Sequence, residues 1–308
     1  MGEGTSRARA HDHGQAPNFG RHRRNLVIVR AGDHSLHPRW LDDDGNRSWD
    51  LLVSYFGDDT EKYYRNDIIR IDGKGPKWPA LKELIESQSD LIRRYDYVWL
   101  PDDDIDCRGQ EIDRLFDLCR RHNLLLAQPA LTSNSYFSWG VTIRNPFTRM
   151  RFTNFVEIMV PCFAREFLMR CVPNMAENFS GWGLDFLWSL LAAREIGRVA
   201  IIDSVAVTHT RPVGGANYES LRGRGISAQQ ERQEFLRMHQ ITDPIIRIDS
   251  LVTKGGFRLS SNSALAALVL RLGYIFLIMR AQLMRYPNRR GLTIKMREAI
   301  FAPIEMKS

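Results

Sequence analysis

Tyr97-Val98-Trp99-Leu100-Pro101-Asp102-Asp103-Asp104-Ile105-Asp106 is an apolar run of strand type that ends in three consecutive carboxylates. A short continuous apolar run suits a strand buried on both faces of an α/β sheet. Alternate residues at a strand end point the same way, which puts Asp102 and Asp104 on one face. Two carboxylates on one face can hold a divalent cation through hard oxygen ligands. Aspartate is equally at home in a turn or at a helix cap, so the cluster has to be judged with the rest of the chain.

Outward from this stretch, short apolar runs alternate with amphipathic ones. Strands are expected at 25–30, 49–56, 67–71, 97–100, 124–128, 155–160 (FVEIMV), 199–202 and 205–209. Helices are expected at 77–95, 110–122, 161–171 and 184–196; in the first, Leu81, Leu84, Ile85, Leu91 and Ile92 form one stripe. Residues 131–150 and 176–183 read as loops, and 210–230 as a glycine-rich mobile loop. This alternation predicts an α/β fold with a central, mainly parallel sheet flanked by helices. Such sheets bind ligands beyond the carboxyl ends of their strands. Asp58-Asp59 and the 102–104 cluster both fall at such ends.

The 308 residues are 44% hydrophobic and 26% charged, an ordinary globular balance. Charge divides the chain into three parts: a tail at 1–24, a body at 25–253 and a helical extension at 254–308. The tail carries five Arg against Glu3 and Asp12, and is expected to be disordered. Its His11, His13 and His22 would bind metal only weakly. The extension carries ten Lys/Arg against Glu298 and Glu305, which leaves a mildly acidic body within a net charge of +7. A basic body would have pointed to nucleic acid, which is not expected as a partner. Basic ends point to a phospholipid surface or to solubility. The four cysteines form no C-x-x-C pair, and the N-terminus has no apolar core of signal-peptide type. A reducing, cytoplasmic location is expected. Residues 264–279 are apolar except for Arg271. As a helix they span about 24 Å, short of the roughly 30 Å of a bilayer core. With Arg280, Arg285, Arg289 and Arg290 after them, they suit an interfacial element on anionic headgroups at the inner membrane face. The alternative is a helix packed on the domain or in a homodimer.

Four further features bear on the Asp cluster. NFSGWGLDF (178–186) brackets Trp182 with Gly181 and Gly183 and places Asp185 at a helix start. Glycines permit a tight loop with an aromatic face near a ligand, and Asp185 can deprotonate a hydroxyl or simply serve the first helical turn. VAVTHT (205–210) ends a strand with His209, a third metal ligand or a structural histidine. DGKGPKWPA (72–80) opens a helix where Lys74 and Lys77 can meet a diphosphate or lie idle at the surface. Glu157 interrupts an apolar run and needs either an arginine partner or a place in the site.

The order FVEIMVP-x-F-x-R-E (155–166), GWGLDF (181–186), IGRVAIIDS (196–204) and TH (208–209), with the Asp cluster and Lys77-Trp78, resembles the domain-of-unknown-function 707 family. The arrangement is more distantly similar to glycosyltransferases of the GT-A fold, with D-x-D after a central strand, a late acceptor loop and a C-terminal histidine. That resemblance implies a GT-A-like, Rossmann-related fold and a metal-dependent transferase of cell-surface glycan synthesis. It would use a nucleotide-diphosphate sugar as donor and a glycan or lipid-linked acceptor. By the same resemblance Asp102, Asp104 and His209 hold Mn²⁺ or Mg²⁺, with Asp102 on the metal or the ribose. Lys77 and Asp103 serve the donor, Trp78, Trp182 and Gly183 contact substrate, and Asp185 is the catalytic base. The acceptor loop carries one acid where related loops often carry two. A nucleotidyl- or phosphoryl-transfer enzyme, or a non-catalytic carbohydrate-binding or scaffold protein, would fit the same residues. No G-x-G-x-x-G follows a strand, so dinucleotide chemistry is not expected.

Overall fold

The computed structural model describes residues 23–41, 47–214, 227–242 and 245–284, with 223, 225, 291–294 and 296, and the strands and α-helices that follow are those named among these residues. His11, His13, His22 and the rest of the tail to residue 22, most of the loop after 214, and Arg285, Arg289 and Arg290 lie outside these residues. The strands are β1 (Asn25–Ala31), β2 (Trp49–Tyr55), β3 (Ile69–Asp72), β4 (Tyr97–Trp99), β5 (Ile105–Asp106), β6 (Leu126–Leu131), β7 (Thr148–Thr153), β8 (Cys162–Ala164), β9 (Val199–His209), β10 (Ile248–Thr253) and β11 (Arg258–Ser260). The helices are α1 (Lys77–Ser87), α2 (Ser89–Ile92), α3 (Gly109–Arg121), α4 (Arg165–Cys171), α5 (Leu184–Leu191), α6 (Ala228–Met238) and α7 (Ala264–Met284).

The sheet order is β11-β10-β7-β9-β6-β8-β4-β1-β2-β3, with β5 paired to the end of β9. β1 is parallel to β2 and β4, β2 to β3, and β6 to β9. β8 is antiparallel to both β4 and β6, so these parallel strands all run the same way. Their carboxyl ends share one edge, where the Asp cluster lies. Alternate residues of β1 feed opposite sides: Val27 and Val29 enter one buried cluster, Leu26 and Ile28 the other. The first cluster is covered by α3 and α7, the second by α1, α4 and α5. A sheet covered on both faces explains the near-continuous apolar strands.

Several expected elements differ. The helix expected at 77–95 is broken at Gln88 into α1 and α2. Residues 155–160 are irregular, and the strand lies at β8, inside the helix expected at 161–171. Apolar content alone does not separate a buried irregular segment from a strand. Here the backbone serves neighbours instead: Met159 O accepts from Asp102 N at 2.8 Å, and Ile158 O from Lys77 Nζ at 3.1 Å. The strands expected at 199–202 and 205–209 are one strand with a bulge. Pro129 and Ala130 pair with Ile202 and Ala206, so the intervening residues are extra. β7 begins inside the loop expected at 131–150. The boundary expected between 253 and 254 falls at the tip of the β10–β11 hairpin, and α7 shares the main core. α7 has 21 residues, so it is about 31 Å long rather than 24 Å.

Candidate functional site

β4 ends at Trp99, earlier than expected, and Asp103-Asp104 form a turn into β5. Strand alternation therefore does not bring Asp102 and Asp104 together. The return onto β9 does, because β5 pairs antiparallel with Ile105 opposite His209. Thr210 N donates to Asp104 O at 3.2 Å, and Arg211 N to Asp104 Oδ2 at 2.9 Å. His209 Nε2 then lies 3.3 Å from Asp104 Oδ2 and 3.9 Å from Asp102 Oδ2. One potential ligand atom from each of the three residues falls within a 4.8 Å group.

The tautomer of His209 follows from its other nitrogen. Nδ1 lies 2.9 Å from Tyr136 O, and a carbonyl only accepts, so Nδ1 carries the proton. The Nε2 lone pair then faces two carboxylates. That arrangement is repulsive unless a cation or a second proton sits among them. A carbonyl fixing the far nitrogen is also the usual support of a metal-bound imidazole. Two carboxylates and one imidazole thus fit a divalent cation. Burial raises the Asp104 carboxyl above its ordinary range, and the neighbouring Asp102 adds to the shift.

Asp103 and Lys77 are tied into this cluster by the protein itself. Asp103 Oδ2 accepts from Gly32 N at 2.9 Å and Oδ1 from Arg211 Nη1 at 3.0 Å, which joins the end of β1 to the segment after β9. Lys77 Nζ donates to Asp102 Oδ1 at 2.5 Å, to Leu100 O at 3.2 Å and to Ile158 O. Lys74 turns away to Phe56 O, Gly57 O and Asp58. Asp58-Asp59 therefore belongs to a separate turn, whose amides donate to Asp33.

Trp78 does not offer a ring to a ligand. It is only 2% exposed, packs edge-on to Trp188 at 5.2 Å between centroids, and abuts Gly181. Its apolar bulk, and its place three residues ahead of Leu81 on the buried stripe of α1, are the signal for core. Gly181 has φ +77°, and a Cβ there would run into the Trp78 ring. Gly181→Ala is expected to cost about 1–3 kcal/mol from strain and overpacking. Urea denaturation checks this, and an unchanged midpoint would mean that the loop relaxes freely.

Gly183, at φ +102°, caps α5 and lies against Phe235 of α6. Glu231 of α6 accepts from Phe179 N at 3.1 Å and Ser180 N at 3.0 Å, so α6 clamps the loop from outside. Nothing in the polar sequence of α6 announced that task. Trp182 is half-buried in the loop, and Asp185 is buried in the first turn of α5.

Burial raises the Asp185 carboxyl to about 7, although the Phe186 amide and Arg232 oppose the shift. Glu157 lies near it, raised to about 8 first by burial and then by Asp185. Glu157 Oε1 accepts from Ser138 N at 3.3 Å, while Oε2 has no hydrogen-bond partner among the described residues. Glu157 is therefore not the half of an arginine pair. It adds a second acid to the Asp185 neighbourhood, a pairing invisible along the sequence. A polar cleft of about 630 Å³, lined by Arg39, Asp106, Arg108, Glu111, Thr132 and Thr208, opens beside β5.

Among solved structures the chain is similar to S. aureus TarS, with TM-score 0.45 and 12% identity over 90% of this chain and 54% of that one. It thus spans about half the length of that protein. It is similar to TarS 1–349 with TM-score 0.43 and 12% identity, over 90% of each chain. For A197 from STIV the values are 0.35 and 11%, over 77% of this chain and 93% of that one. No curated protein matches the chain. The family described as protein of unknown function (DUF707) matches residues 66–154 and 148–244. That span exceeds half of the sequence and contains every candidate site residue, and the chain belongs to the DUF707 family.

Proposed function

We propose that the chain is a glycosyltransferase that moves a sugar from a nucleotide-diphosphate sugar to a hydroxyl of a glycan or lipid-linked acceptor. The observation that carries this reading is the convergence of Asp102, Asp104 and His209 at the carboxyl-end edge of the sheet. The order of these residues, with the Trp182 loop between them, follows the GT-A pattern. Mn²⁺ or Mg²⁺ held by Asp104 and His209, with Asp102, would supply charge neutralisation for a departing diphosphate.

The chain's own residues do the rest. Lys77 adds positive charge to the acid cluster, and Asp103 holds the end of β1 in register with it. Trp182 offers part of its ring for an acceptor sugar to stack on. Asp185 takes the acceptor proton as the acceptor oxygen bonds to the anomeric carbon. The bond from that carbon to the diphosphate breaks, and its electron pair leaves on the diphosphate. One displacement of this kind inverts the anomeric centre.

A thermal-shift panel of nucleotide-sugars and nucleoside diphosphates, with Mn²⁺ or with EDTA, tests the donor site. A ligand at about 100 times its Kd adds about 2.7 kcal/mol to native stability. Stabilisation by one nucleotide family is expected, lost in EDTA and in Asp104→Ala. No response from any nucleotide, with metal present and the protein folded, would favour a non-catalytic binding protein. Release of pyrophosphate in place of nucleoside diphosphate would move the assignment to nucleotidyl transfer.

A further inference from the structure

Helix α7 has two apolar faces, and the fold uses one of them. Ala266, Leu270, Tyr274, Leu277 and Ala281 are buried in the main core. A Cβ at Gly273 would meet the Asn145 carboxamide, whose Nδ2 donates to Leu270 O at 3.2 Å. The packing there is close and specific.

The other face is exposed: Leu265, Leu268, Leu272, Phe276, Met279 and Leu283. At about 100° per residue these fall within an arc of roughly 80°. Arg271 and Arg280, both exposed, flank that arc on opposite sides. Phe147, also exposed, extends the patch, with its ring 6.1 Å from that of Phe276. Phe147 O accepts from Lys254 N at 2.9 Å, which links the patch to the hairpin tip bearing Lys254, exposed Phe257 and Arg258. From 250 to 297 the sequence holds nine Lys/Arg and no acid.

We propose that this face docks α7 in the plane of an anionic lipid bilayer. The apolar stripe would enter the acyl boundary, while Arg271 and Arg280 reach outward to phosphate headgroups. Charge decides between occupants, because a second copy would bring like-charged arginines together, whereas anionic lipid complements them. The segment Ala264–Leu283 is long and apolar enough to cross a membrane. Spanning would require the buried face to leave the core and Tyr274 to leave Arg151, 3.4 Å away. The inference goes beyond glycosyl transfer and does not depend on it.

Flotation of the purified full chain tests it, with phosphatidylcholine vesicles and with vesicles that also contain phosphatidylglycerol. Binding is expected to the anionic vesicles and to weaken with salt. Arg271→Gln with Arg280→Gln should weaken it about 30-fold, given the usual worth of a basic residue at such a surface. Leu272→Glu with Phe276→Glu should abolish it in a protein that still unfolds cooperatively, and binding that survives this change overturns the proposal. Absence of flotation, or equal flotation on neutral vesicles, overturns the proposal. So does a solution dimer that Leu272→Glu disperses without any vesicle binding, which assigns the face to a second copy. Retention in vesicles through alkaline carbonate extraction overturns it in favour of a spanning helix.

Discussion

Asp203→Ala is expected to lower folding stability by about 3–5 kcal/mol, the cost of leaving a buried charge without its partner. Arg151 and Asp203 are fully buried. Arg151 donates to both carboxylate oxygens, Nε to Oδ2 at 2.8 Å and Nη2 to Oδ1 at 2.7 Å. Asp203 also accepts from Asn145 N at 2.8 Å and Thr148 Oγ1 at 2.5 Å. The pair thus fastens β7, the bulge in β9 and the segment around Asn145 to one another, and Tyr274 connects it to α7. Alanine would strand the guanidinium in an apolar core and orphan two further donors. Replacing Arg151 and Asp203 together by apolar residues of similar volume should cost far less. Urea denaturation of the single and double variants checks this. A single-variant loss below about 1 kcal/mol would show that water or local movement rescues the charge.

The second large effect concerns turnover. Asp185→Asn is expected to lower kcat by about 10²- to 10⁴-fold, the usual worth of a general base. The amide keeps the size of the side chain and can still accept from Phe186 N, so folding should persist. The wild-type pH profile supplies a second signature. Because burial raises the Asp185 carboxyl to about 7, its basic form accumulates as pH rises through that value, and the rate should rise with it. The variant should lose that limb. Near-full turnover in Asp185→Asn, or an identical limb, would remove the residue from the role of base.

Much of this was legible from residue type and pattern. Strands buried on both faces leave long apolar runs, so β1, β2 and β4 fell close to their expected places, and the stripe of Ile112, Leu115, Phe116 and Cys119 did the same for α3. Asp102, Asp104 and His209 could be named because carboxylates and histidine at strand ends are few. Their convergence could not be read, since it depends on the register between β5 and β9, which is set by backbone pairing. The segment 155–160 misled because burial without regular structure has the same composition as a buried strand. Trp78 misled because an aromatic beside a lysine suits a ligand as well as it suits a core. Glu157 beside Asp185, and α6 behind the Trp182 loop, are contacts between distant parts of the chain that no local pattern carries.

The double duty of α7 limits how the protein can be shortened. Its inner face supplies part of the main core, and its Tyr274 hydroxyl lies against the buried guanidinium of Arg151. A truncation ahead of residue 264 would remove the greasy outer stripe only by uncovering a second apolar surface with an ionised group beneath it. Such a protein would be harder to keep in solution than the full chain. Surface substitutions that leave the inner face intact are the sound route to a crystallisable form.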